Sequence, residues 1–292
     1  MYSGSLSIPG SVGRLDLQAT LESAQSFLWQ RVDGGMYEET AVSGGGHWYY
    51  TVVEDDLVFA RQQSGRLDWQ ATTDAAGILR RQLRLDDDLD EIFTSFPEEP
   101  TLEKAKRQYP GLRVVRDPFF PCLISFVCSA RMPVKRIHAL QSSLAQEFGS
   151  PVHVDGSTYY AFPRPDQLMA ASESDLRNLG LGFRAPYVER TTQMVADGDI
   201  TEAFLRDRSY AEVHEDLQSF PGVGPKIADC VSLFAFGHLE AVPIDTWTRR
   251  LIERYYPGDV ADSYDATATA FRDRFGEYAG YAQTYLFHYE RS

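Results

Sequence analysis

The chain has 292 residues, enough for one large domain or two modest ones, and its 43% hydrophobic content can fill real cores. With 42 acidic against 28 basic residues the net charge is −14, which argues against a generic polyanion binder and predicts a strongly acidic exterior. Cys122, Cys128 and Cys230 are too scattered for a disulfide framework or a CxxC zinc pair and too few for an iron–sulfur cluster.

In chain order, residues 1–117 change character in a β-like way. Residues 48–53 and 57–60 are rich in β-branched and aromatic side chains and flank the acidic turn Glu54-Asp55-Asp56, while 67–70 predict another strand. Gly34-Gly35 and Gly44-Gly45-Gly46 predict turns or loops. Residues 75–85 and 102–109 have helical spacing, so this half reads as an antiparallel sheet with a helix or two against it. From Asp86 to Glu103 there are eight acidic residues and no Lys or Arg, the pattern of a solvated face.

From Pro118 the pattern turns helical and stays so through 118–292. Helices are predicted at 119–129, 134–148, 167–171, 173–179, 186–197 and 200–206, then at about 226–236, 246–255, 264–275 and 279–290, with Gly149, Gly180, Gly182 and Gly198 as stops. The nearly apolar run 118–130 is too short to span a membrane, and the N-terminus lacks a secretory signal, so a cytoplasmic protein is expected. Residues 118–146 hold no acid but carry Arg131, Lys135 and Arg136, so one face can be basic on an acidic molecule. An acidic exterior with few lysines also suits a salt-rich, haloarchaeal type of cytoplasm, where screening mutes repulsion of DNA.

Between two helical patterns lies Phe220-Pro221-Gly222-Val223-Gly224-Pro225-Lys226. Gly222 and Gly224 can take positive φ and let the backbone approach a ligand, and Pro225 suits the first turn of the following helix. The N-terminus of that helix is a ready phosphate site. Lys226 sits in its first turn, where the dipole disfavours the ammonium and favours a nucleophilic amine. Asp245, nineteen residues on, places a carboxylate just before another helical pattern. A phosphate grip, an amine and an acid together point to chemistry on a DNA sugar. Each residue also has a plainer reading: Lys226 as a surface residue, Asp245 as a helix N-cap, and Cys230 and Phe287 as core.

The hairpin followed by an aspartate resembles the helix-hairpin-helix DNA glycosylase superfamily. Ala24-Gln-Ser-Phe27 with Trp29, Phe126-Val-Cys-Ser129 with Arg136, Leu179-Gly-Leu-Gly-Phe-Arg-Ala185 with Tyr187, Ala228-Asp-Cys230, and Tyr278-Ala-Gly-Tyr-Ala-Gln283 through Phe287 extend the likeness to its 8-oxoguanine glycosylase/lyase branch. The resemblance implies an α+β fold, with an N-terminal antiparallel, TBP-like sheet domain packed on an all-α helix-hairpin-helix domain, divided at 1–117 and 118–292. It implies a monomer acting on damaged double-stranded DNA. No cofactor or metal is implied beyond a structural monovalent cation allowed on the hairpin carbonyls.

By the same resemblance Lys226 attacks C1′ of a flipped-out nucleotide and Asp245 stabilises the developing charge or orients the lysine. Gly222, Val223 and Gly224 offer N–H groups to a phosphate. Cys230 and Phe287 sandwich the base, and Gln283 reads its Watson–Crick edge. Phe183 is the wedge, and Arg184 and Arg136 read the orphaned cytosine. Three positions depart from the pattern: Ala24 stands where a glycine carbonyl recognises the oxidised purine, Ala130-Arg131-Met132-Pro133 replaces an asparagine cluster and leaves Arg131 as a DNA contact, and Trp247 replaces a histidine. The alternatives are an alkylated-base glycosylase of the same superfamily, which usually lacks the lysine, and a non-catalytic hairpin clamp, which needs neither Lys226 nor Asp245.

Overall fold

The computed structural model describes residues 1–8, 14–38 and 46–291. Its first half carries a five-stranded, wholly antiparallel sheet in the order β1-β5-β4-β3-β2, with β1 at Tyr2–Ser7, β2 at Gln30–Arg31, β3 at Tyr49–Val53, β4 at Asp56–Gln63 and β5 at Arg66–Ala71. The alternation that predicted β3 is real: Tyr49, Thr51 and Val53 are buried, while Tyr50 and Val52 are half-buried on the other face, Tyr50 against Tyr159 at 5.1 Å. Strand β1, which the sequence did not announce, fits because Gly4 lies flat against Trp69; a Cβ there would meet the indole at 2.5 Å. Of the predicted glycine turns, Gly34 and Gly46 take positive φ, whereas Gly44 and Gly45 lie outside the described residues.

Helices Leu17–Glu22, Ala76–Gln82, Leu89–Ser95 and Pro100–Gln108 accompany the sheet. The first is capped by Asp16, whose carboxylate accepts from the Ala19 amide at 2.9 Å. One core holds Leu17, Leu21, Trp29, Tyr49, Leu67 and Leu79 between sheet and helices. A larger core fills the helical half and also takes in Phe27, Leu89, Leu102, Val114 and Val115 from the first half.

Within the first half the buried Arg113 guanidinium donates to the carbonyls of Arg14 at 2.7 Å and Asp87 at 3.3 Å, and to that of Arg84. Polar contacts also cross the seam to the helical half. Tyr281 and Tyr285, on helix Ala279–Arg291, donate to Asp87 and to the Leu112 carbonyl at 2.6 and 2.7 Å.

The pattern of the second half predicts helix throughout, and the structure corrects this with a pair of strands. Helices Phe119–Ser129 and Val134–Phe148 are followed by an antiparallel hairpin of β6 (Pro151–Val154) and β7 (Ser157–Tyr160). Its turn is Asp155-Gly156, at φ 50° and 78°, both positive as a type I′ turn demands. The Asp-Gly pair flanked by alternating residues is the signal that helical spacing around it obscured. Helices Pro165–Leu168, Glu173–Asn178, Ala185–Ala196 and Glu202–Leu205 then lead to the hairpin pair Tyr210–Leu217 and Pro225–Val231. The single helix predicted over 226–236 is α-helical only to Val231; Ser232–Phe236 widens into a π-turn that ends on Gly237 at φ 77°. Helices Thr246–Tyr255, Tyr264–Phe275 and Ala279–Arg291 complete the described chain.

Candidate active site

The hairpin between Tyr210–Leu217 and Pro225–Val231 has the geometry its glycines predict, with one correction. Gly222 takes φ 79° and its bare Cα sits against Tyr187, whose ring an added Cβ would meet at 2.9 Å. Gly224 does not need positive φ: it is the N-cap at φ −102°, in extended backbone, with nothing within 4 Å of an added Cβ. Its side faces open space, as a close approach by a ligand requires. The amide of Val223 is not available to a phosphate, because it donates to the Phe220 carbonyl at 3.1 Å inside the turn. The Gly222 and Gly224 amides donate no such bond among the described residues, while the Gly224 carbonyl accepts from the Ile227 and Ala228 amides at 3.0 Å. Val223 is 7% exposed.

Lys226 follows Pro225 in the first turn, with its ammonium 5.2 Å from the centre of the Phe126 ring. Phe126 is held by stacking on Phe234 at 5.6 Å, so helix Phe119–Ser129 supplies the wall behind the lysine. One turn along, the Cys230 thiol lies within the field of the Lys226 ammonium. Burial pushes that thiol up to about 11 while the lysine charge pulls it back, which leaves it a neutral sulfhydryl. Asp245 also acts electrostatically on Cys230, so amine, thiol and carboxylate share one neighbourhood.

Asp245 is the N-cap of Thr246–Tyr255 and accepts from the Thr248 amide at 2.7 Å. The cap fixes the carboxylate at the N-terminus of that helix. Thr248 in turn accepts from Gln283 Nε2 at 3.0 Å. Gln283 is 6% exposed and is thereby locked to the aspartate helix. Thr248 is a missed residue, and its place three positions after an N-cap aspartate is the sequence signal for it.

Phe287, one turn beyond Gln283, lines a pocket of about 180 Å³ with Trp247, Arg250, Leu251, Arg254, Glu290 and Arg291. Cys230, by contrast, is buried on the helix that carries Lys226. Trp247 is 53% exposed at the rim.

The remaining expected contacts lie on the loops around this centre. Phe183 is 54% exposed in the turn Gly182–Arg184, as a wedge has to be. Arg184 is not presented with it: the guanidinium is buried, lies 4.3 Å from the Phe183 ring centre, and donates to the Ala130 carbonyl through Nε at 3.0 Å and through Nη2. It props the loop that carries the exposed Arg131, which sits at φ 54°. Arg136 is exposed, with Nη2 3.0 Å from where a Cβ on Gly180 would lie.

Ala24 takes φ 66°, a left-handed conformation that glycine adopts without strain and alanine does not. Its loop is held by Gln25, which donates to Ser23 Oγ and to the Arg113 carbonyl, both at 2.8 Å, and accepts from the Val115 amide at 3.1 Å. The role of Gln25 is set by contacts with residues 113 and 115, far from it in sequence. Among the described residues no group of three or more His, Cys, Asp or Glu side chains is arranged to hold a metal ion, and no helix is long and apolar enough to cross a membrane.

Comparison with known proteins gives this arrangement a context. Residues 124–277 match the family described as HhH-GPD superfamily base excision DNA repair protein, and residues 7–123 match the 8-oxoguanine DNA glycosylase N-terminal domain. A probable N-glycosylase/DNA lyase of Methanothermobacter thermautotrophicus is 30% identical over 96% of this chain and 95% of its own length. The structure of MBOgg1 in complex with a low affinity DNA ligand is similar with a TM-score of 0.86 at 29% identity, covering 100% of this chain and 99% of that one. The 8-oxoguanine glycosylase/lyase of Clostridium acetobutylicum, bound to duplex DNA with cytosine opposite 8-oxoguanine, is similar with a TM-score of 0.83 at 27% identity, over 95% of this chain and 92% of that one.

Proposed function

Because the chain belongs to the HhH-GPD superfamily of base excision DNA repair proteins, in its 8-oxoguanine glycosylase branch, we infer that it is a bifunctional N-glycosylase/DNA lyase removing 8-oxoguanine from duplex DNA. The observation that carries this reading is Lys226 in the first turn of the second hairpin helix, with Cys230 in the field of both Lys226 and the capping Asp245. The amine forms a bond to C1′ as the bond from C1′ to the damaged base breaks; the sugar ring opens to a Schiff base, and loss of a C2′ proton then expels the 3′ phosphate. Asp245 faces the positive charge that develops on the sugar. Neither an alkylated-base glycosylase nor a passive clamp uses the lysine.

The finer roles follow as part of this proposal. Gly222 and Gly224 take a phosphate, Gln283 and Phe287 meet the extruded base with Cys230 and the Ala24 carbonyl at its edge, and Phe183 fills the vacated stack. Arg131 and Arg136 face the opposite strand directly, whereas Arg184 reaches it only after releasing Ala130. No organic cofactor enters these steps, and a structural monovalent cation on the hairpin carbonyls remains part of the same proposal. A monomer in a prokaryotic, salt-rich cytoplasm fits the charge of −14.

Borohydride added to the protein with an 8-oxoguanine duplex is expected to trap a covalent adduct, which Lys226→Gln removes. An adduct that persists in the variant overturns the lysine mechanism. The same assay across salt concentrations tests the setting, since activity that collapses just above ordinary cellular salt excludes a halophilic host.

A further inference from the structure

Asp229 sits one turn along from Lys226, and none of the steps above uses it. Its side chain is 0% exposed. The carboxylate accepts from the Tyr210 hydroxyl on one oxygen and from the Tyr264 hydroxyl on the other, each at 2.5 Å. Burial pushes the carboxyl up and the two phenols pull it back down. His214 Nε2 lies 3.6 Å from the first oxygen and 3.2 Å from the Pro225 carbonyl, and Arg272 donates to the Tyr210 oxygen at 3.0 Å. A buried carboxylate is tolerated only where hydrogen bonds satisfy it, and here four side chains from two other helices converge on the task.

The two phenols are not equivalent. Tyr210 belongs to the first hairpin helix, so its bond joins the two helices of the hairpin. Tyr264 comes from helix Tyr264–Phe275, and its oxygen also accepts from the Ile244 amide at 3.1 Å and lies 3.2 Å from the Val242 carbonyl. Ile244 is the residue immediately before Asp245. One phenol therefore spans from the helix that carries the nucleophile to the backbone that carries the acid.

We propose that Asp229 and Tyr264 are positioning residues that lock the Lys226 helix and the Asp245 cap into one rigid unit, fixing amine and carboxylate relative to each other. The proposal rests on the lysine chemistry inferred above. If the hub served packing alone, loss of either phenol from the same carboxylate would act alike, lowering stability and activity together. Positioning requires an asymmetry, because only Tyr264 touches both catalytic segments. Tyr264 bonds to Asp229, Ile244 and Val242 and not to Gly222 or Gly224, so its loss is expected to leave affinity for DNA unchanged.

The test compares Tyr264→Phe with Tyr210→Phe in the full chain. Three quantities are measured: single-turnover excision at saturating 8-oxoguanine duplex, binding to a duplex carrying an uncleavable reduced abasic site, and the melting midpoint. Tyr264→Phe is expected to slow excision by tenfold to about a hundredfold, the scale of a small misplacement of reacting groups, with binding unchanged. Tyr210→Phe is expected to slow it far less at a comparable melting loss. Equal slowing by both variants, or slowing that simply follows the melting loss, overturns the proposal. Should Tyr264→Phe fail to fold, Asp229→Asn takes its place. Slowed excision with unchanged binding then supports positioning, and a wild-type rate overturns it. A wild-type chain that neither excises the base nor forms the borohydride adduct defeats the parent reaction as well, whereas an active wild type with equal tyrosine variants defeats the positioning alone.

Discussion

Ala24 concentrates the tension between this chain and its relatives' pattern. Its carbonyl is placed by φ 66°, which costs an alanine about 1 kcal/mol that a glycine would not pay. The loop holds that conformation because Gln25 is bonded at both ends of its amide. Ala24→Gly is expected to raise stability by about 0.5 kcal/mol, the relief of strain being partly offset by the greater freedom of glycine in the unfolded chain. It should also speed excision of 8-oxoguanine by removing the methyl beside the base. Urea unfolding and single-turnover assays check both, and a destabilised variant would show that the loop is not strained at this residue.

At the scale of elements, the hairpin shows what could be read in advance and what could not. The paired glycines, the proline at the first helical position and the lysine after it were legible, because each answers a local backbone rule. The Val223 amide turned inward and Gly224 stayed extended because the turn closes on Phe220, a choice that depends on the whole loop rather than on one residue. Hairpin β6–β7 was legible in Asp155-Gly156 and was lost to the helical spacing on either side of it. The Asp229 hub could not be read at all, since its partners lie 19 and 35 residues away in sequence. Gly222→Ala tests the element as a unit: it forces a side chain to φ 79° and drives a methyl into Tyr187. A stability loss of about 1–3 kcal/mol is expected, together with weaker binding to undamaged duplex. Unfolding and binding isotherms measure the two, and unchanged binding would remove Gly222 from the phosphate clamp.

Across the whole molecule, the seam between the sheet half and the helical half holds an ionisable group under strain. The Asp117 amide donates to the Phe234 carbonyl at 2.7 Å, and its carboxyl Oδ1 is buried with no hydrogen-bond partner among the described residues. Burial pushes the group up to about 7. A folded-state value above the unfolded one means that the folded protein holds the proton longer, so stability is greatest below about pH 4 for this group and falls as the pH rises to 7. The loss is fully present above that point and is on the order of a few kcal/mol at most. Asp117→Asn is expected to remove it, so that the variant melts higher than the wild type at pH 8 and the two converge near pH 4. A constant difference across that range would exclude Asp117 as the source.

Helix Ala279–Arg291 reaches back across the same seam, with Tyr281 bonded to Asp87 and Tyr285 to the Leu112 carbonyl. It is the last described element to be made and is wedged against segments made near the start. While the chain is still on the ribosome, the sheet half therefore lacks two of the hydroxyls that complete its edge. Assembly of the first half is finished only after translation of the last helix, which makes the two halves one cooperative unit in time as well as in space.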